Sequence, residues 1–142
     1  MRIFLDFDGV LRRLSSPPSR FDDDCVGHFT LAVLSHARAQ VIISSTWRLA
    51  APLDAMRRLF PAQLRPRIEG VTPELEIMQK YGRHAEVRRY LAQRGLDDAA
   101  WIAVDDDPEN FPPGAPLLQV DPATGFDHAC ARRLRAWLAR TG

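Results

Sequence analysis

The sequence predicts an α/β sandwich whose central sheet is mostly parallel. Short apolar runs recur along the chain, amphipathic helical stripes lie between them, and three of the runs end in acids or hydroxyls. A strand covered on both faces reads as a nearly unbroken apolar run, as in a parallel sheet flanked by helices. Strands alternating with helices then imply right-handed crossovers and three layers, a Rossmann-like arrangement.

The four runs are Ile3-Phe4-Leu5, Val41-Ile42-Ile43, Trp101-Ile102-Ala103-Val104 and Leu117-Leu118-Gln119-Val120. Arg67-Ile68-Glu69 reads as a short edge strand, in a stretch broken by Pro61 and Pro66. The first helical stripe is Val26, Phe29, Val33 and Ala37, and the second is Leu53, Met56, Leu59 and Phe60. Val87, Tyr90 and Leu91 form a third stripe, closed by Gly95 as a C-terminal cap. Cys130, Leu134, Trp137 and Leu138 form the last. Asp22-Asp23-Asp24 reads as a helix start, where negative charge complements the dipole.

A length of 142 residues suits one domain, expected to span 1–142. The formal net charge of +1 gives no global drive toward nucleic acid or membrane, although a local patch remains open. Cys25 and Cys130 form no CxxC pair and read as reduced, half-buried thiols. Strand-like sequence starts at Arg2 and no apolar run reaches membrane length, so a cytoplasmic protein is expected.

The chemistry lies where the strands end. The first run continues into Asp6-Phe7-Asp8-Gly9-Val10, the second into Ser44-Ser45-Thr46, and the third into Asp105-Asp106-Asp107. In an open parallel sheet the carboxyl ends of neighbouring strands converge on one crevice. Carboxylates gathered there repel one another unless they take up protons or a cation. All-oxygen donors suit Mg²⁺, and no His or Cys stands among them to favour zinc. Asp6, Asp8, Asp105 and Asp106 are the candidate metal group, with Asp8 read as the acid that stands off the ion. Asp6 then serves as nucleophile, and Asp8 as general acid and base. Gly9 permits the tight turn that frees the strand end. Asp107 reads as a loop residue or an outer partner of the metal group.

These residues resemble the motifs of the haloacid dehalogenase-like (HAD) phosphatase superfamily. Asp6-Phe7-Asp8-Gly9-Val10-Leu11 is similar to its first motif, Val41-Ile42-Ile43-Ser44-Ser45 to its second, and Ile102-Ala103-Val104-Asp105-Asp106 to its fourth. The resemblance implies that Ser45, or alternatively Ser44, hydrogen-bonds the phosphate. It makes Asp106 the direct metal ligand, with Asp105 beside it. The third motif is a basic residue at a helix start. Arg83 matches that place, and Lys80, the only lysine, is the alternative one turn earlier. Thr46 and Arg48 join the substrate-binding candidates, and Arg12, Arg13, Arg20 and Arg48 read as a basic rim. Trp47 reads either as a pocket wall or as packing under the adjoining helix.

The segment Ser-Ser-Thr-Trp-Arg and the run Asp121-Pro122-Ala123-Thr124-Gly125 resemble small HAD domains associated with RNA repair. The spacings between motifs leave room for a flap and single helices, so the cap is expected to be minimal or absent. The implied activity is Mg²⁺-dependent hydrolysis of a phosphate monoester through an aspartyl-phosphate. The implied substrate is a phosphorylated small molecule, a nucleotide or a nucleic-acid end, with a covering partner or a second copy over the open site. A phosphate- or nucleic-acid-binding module without turnover is the alternative. A receiver-like phosphoacceptor is opposed by the Asp-x-Asp-Gly element.

Overall fold

The computed structural model describes residues 1–75 and 80–142. Its centre is a five-stranded sheet with strand order β3-β2-β1-β4-β5. The strands are β1 Arg2–Leu5, β2 Gln40–Ile43, β3 Ile68–Val71, β4 Trp101–Asp105 and β5 Leu117–Gln119. All four pairings are parallel, so the sheet is wholly rather than mostly parallel. The helices are α1 Asp23–Leu34, α2 Leu53–Arg57, α3 Gly82–Gln93 and α4 His128–Thr141.

Side chains alternate faces along a strand, and this divides the core in two. Ile3, Leu5, Val41, Ile43, Ile102, Val104 and Leu118 pack on one face against α1, α4 and the α2 segment. Phe4, Ile42, Trp101 and Ala103 pack on the other, against Val87, Tyr90 and Leu91 of α3 and against Phe111. Counting on by twos from Phe4 places Asp6 on the α3 side of the sheet. α3, which carries Arg83, therefore covers the face on which the first acid emerges.

The helix ends follow local chemistry, with two departures from the periodicity. α1 stops at Leu34 with Ser35 as its cap, so Ala37 falls outside the helix. α2 has only five residues, because the chain leaves the helix after Arg57. Phe60 stays buried, but Leu59, expected on the same stripe, is exposed. α3 ends as expected, with Gly95 just past it at φ 66. Asp23 and Asp24 occupy the first turn of α1, as the helix-start reading requires. Asp22 precedes them and accepts from Arg13 N at 2.8 Å and from the Ser16 hydroxyl, latching the 9–22 flap to the helix.

Neither insertion point carries a further layer among the described residues. Between Asp8 and β2 stand only the flap and α1. Between Ser45 and α3 stand short 3-10 turns, α2 and β3.

Candidate active site

Backbone hydrogen bonds level the strand ends. Ser44 N donates to Leu5 O at 2.9 Å, and Asp6 N donates to Val104 O at 3.0 Å. The residues just past β1 and β2 and the last residue of β4 thus form one row at the carboxyl edge. Asp6, Asp105 and Asp106 meet there, each offering a carboxylate oxygen within 4.8 Å of the others. Asp6 is 6% exposed and Asp105 2%.

Burial dominates the electrostatics. It pushes the Asp6 carboxyl well above the ordinary range, the neighbouring Asp105 adds to the shift, and Arg83 opposes it. Burial likewise pushes Asp105 up to about 6. Asp105 Oδ1 accepts from Asp107 N at 2.9 Å, while Oδ2 is buried with no partner. A buried acceptor left unpaired is costly. Here it faces two more acids in a set made wholly of oxygen donors, an arrangement that fits a hard divalent cation such as Mg²⁺.

Asp8 stands apart from this group. The strand stops at Leu5, and Val10, Leu11 and Arg12 all turn their amides onto Phe7 O. Gly9 makes the turn possible with φ 80. The Asp8 side chain, 40% exposed, is held between two donors. Arg12 Nε reaches Oδ1 at 2.8 Å, and Trp47 Nε1 reaches Oδ2 at 3.0 Å. Asp8 also stands in the candidate metal group, yet the turn leaves its carboxylate outside the three acids that meet.

Arg83, the residue that matches the helix start by sequence, and Lys80, its alternative, occupy different environments. Arg83 Nη1 lies 3.5 Å from Asp6 Oδ1 and also donates to the Ser44 carbonyl. Lys80 is exposed and sits over the Tyr81 ring at 5.3 Å. It lines a cavity of about 500 Å³ with His84, Arg88 and Arg89, and none of the four acids borders that cavity.

Ser44 and Ser45 are buried at the strand end, and Thr46 is exposed. Ser45 Oγ accepts from Trp47 N at 3.2 Å, which starts the 3-10 turn Thr46–Leu49. Arg48 is turned inward. Its side chain is 4% exposed, pairs with Glu86 of α3, and donates to Thr72 O at 2.8 Å and Ser45 O at 3.1 Å. Those bonds occupy the guanidinium in tying elements together.

The expected basic rim is largely consumed in the same way. Arg12 pairs with Asp8, and Arg13 with Asp22 and Asp24, while Arg20 is exposed. Asp107 accepts from Glu109 N at 3.0 Å and so caps the turn Pro108–Asn110. The contributions of Arg12 and Trp47 to Asp8 are what the sequence reading missed. Arg12 carried a faint signal, four residues from Asp8 across a glycine turn. Trp47, 39 residues away, carried none.

A parallel sheet with acids gathered past β1 and β4, and a helix-borne cation facing them, defines the class of HAD-like proteins. The comparison with known families narrows this. Residues 2–131 match the family described as the HAD domain in Swiss Army Knife RNA repair proteins, and the chain belongs to it. That membership supports a hydrolase of the phosphohydrolase type at the level of the superfamily. No curated protein and no solved structure matches the chain. No described helix is long and apolar enough to cross a membrane.

Proposed function

We propose that this chain is a Mg²⁺-dependent phosphohydrolase that cleaves a phosphate monoester, with the end of a nucleic acid or a nucleotide as its substrate. The observation that carries the reading is the setting of Asp6. It is a nearly buried carboxylate, grouped with Asp105 and Asp106 and facing Arg83 at 3.5 Å. The RNA-repair context of the family supports the nucleic-acid end.

Asp6, Asp105 and Asp106 would hold the cation, whose charge offsets the repulsion between Asp6 and an incoming phosphate. Asp6 attacks phosphorus, forming one P–O bond as the bond to the leaving oxygen breaks. The leaving oxygen keeps the electron pair and takes the proton of Asp8. Asp8 then removes a proton from water as that water attacks phosphorus. The Asp6–phosphorus bond breaks and Asp6 regains its carboxylate, so ester and water become alcohol and phosphate. Arg83 orients the phosphoryl oxygens, and the buried serines supply short polar contacts at the strand end.

The test is phosphate release from p-nitrophenyl phosphate, phosphorylated metabolites and oligonucleotides bearing 3′ or 5′ phosphates, with Mg²⁺ or with chelator. Turnover should need the metal and vanish in Asp6→Asn. A protein that binds these esters yet turns none of them over would be a binding module instead.

A further inference from the structure

We infer that Trp47 and Arg12 are positioning residues for Asp8, holding its carboxylate ready from within the flap and the turn after β2. The inference rests on the phosphohydrolase reading and extends it to residues outside the motif acids.

Asp8 lies on a glycine turn, and its side chain is 40% exposed. Left to itself, such a carboxylate would sample several rotamers in water. Instead each oxygen has its own donor, Arg12 Nε at 2.8 Å and Trp47 Nε1 at 3.0 Å. Both partners are donors only. An indole N–H has no lone pair to offer, and a guanidinium is not deprotonated in a protein. Neither can take the proton from Asp8, so its outlets are the leaving oxygen and water. The two donors fix where the acid points without competing for what it carries.

The donors are themselves held. The Trp47 ring stacks on Phe21, with centroids 5.5 Å apart and an interplanar angle of 27°, and meets the Phe7 edge at 5.3 Å. Its backbone amide is bound to Ser45 Oγ. Arg12 also donates to Ser16 O at 2.9 Å and Arg13 O at 3.2 Å, which ties it into the flap. The acid is thus braced from the flap on one side and from the turn after β2 on the other. A merely structural Trp47 would need only its packing. The N–H directed at Asp8 is what gives it a role in the reaction.

Leaving-group dependence separates the two roles. A nitrophenolate departs without a proton, whereas an alkoxide needs one. Loss of acid positioning therefore slows the first step, transfer to Asp6, selectively for the second substrate, while the later attack of water is common to both. The experiment measures the single-turnover rate of leaving-group release, which reports the first step alone, together with KM, for p-nitrophenyl phosphate and for an alkyl phosphate in wild type, Trp47→Phe, Arg12→Ala and, as reference, Asp8→Asn. Trp47→Phe keeps an aromatic ring and removes the donor.

Both positioning variants should lose about tenfold or more in the rate of leaving-group release on the alkyl ester, while staying within about threefold of wild type on the nitrophenyl ester. KM should be little changed, and Asp8→Asn should show the same selectivity more strongly. Equal losses on the two esters, or none, would overturn the inference while wild-type turnover left the hydrolase reading intact. Arg12→Ala, on the flap, gives an independent reading if Trp47→Phe does not fold. A wild type inactive on these two esters and on the phosphorylated metabolites and oligonucleotides above would remove the hydrolase reading and this inference with it.

Discussion

At the scale of single residues, the site depends on one cation and one missing side chain. Arg83 is the cation we assign, since it alone of the two candidates reaches Asp6. Removing a preorganised donor of this kind costs about 10²-fold or more in rate, so Arg83→Ala should lose about that much in kcat/KM. Lys80→Ala should stay within about threefold of wild type, because Lys80 borders a different cavity. Steady-state kinetics on one ester decides it, and equal or reversed losses would reject Arg83. Gly9 is the missing side chain. A Cβ there would stand 2.6 Å from Asp106 Cγ, and φ is already 80. Gly9→Ala should therefore cost about 1–2 kcal/mol of stability and weaken Mg²⁺ binding about tenfold, as read by calorimetric titration.

At the scale of elements, Arg48 does work that its motif position does not announce. It joins the turn after β2 to the exit of β3 and to Glu86 in the first turns of α3. Burial pushes the Glu86 carboxyl up even with Arg48 beside it. Arg48→Met would leave that acid enclosed without a partner, at a cost of about 3 kcal/mol in urea unfolding. Replacing Glu86 by Leu in the same chain should recover most of the loss, since an apolar pair of similar volume leaves no enclosed charge. Activity should fall with Arg48→Met as well, because Arg83 rides on the same end of α3.

At the scale of the whole molecule, a cluster of buried acids couples stability to pH and metal. In the metal-free protein Asp105 titrates at about 6 instead of 3.8, and Asp6 is raised as well. The folded state then binds more protons than the unfolded state across that window, so stability falls as pH rises through it. The contribution is complete below 3.8 and is lost as pH climbs through about 6. Asp105→Asn removes the titrating group. Its metal-free Tm should exceed that of wild type by more at about pH 8 than at about pH 5. Mg²⁺ should raise the wild-type Tm at about pH 8, where the ligands are ionised, and raise that of Asp105→Asn less. Thermal unfolding at both pH values checks each sign, and a Tm gap that shrinks with pH would contradict the buried-acid account.

Much of this architecture was legible in the sequence, because its causes are local and repeated. A strand buried on both faces must be apolar throughout, so Ile3–Leu5, Val41–Ile43 and Trp101–Val104 announced the sheet. The acids and serines that break those runs could lie only at strand ends. The chain alone thus determined the parallel sheet, the convergence of Asp6 with Asp105 and Asp106, and the turn at Gly9. Only the tertiary structure set Arg83 rather than Lys80 beside Asp6, turned Arg48 inward, left the Asp8 carboxylate outside the three grouped acids and set Trp47 against it. Hydrogen bonds and ion pairs are short and directional, and these join residues as near in sequence as Arg12 and Asp8 and as far apart as Arg83 and Asp6. Periodicity records which face a side chain takes, whereas a bond's partner is chosen by the packing that brings the faces together.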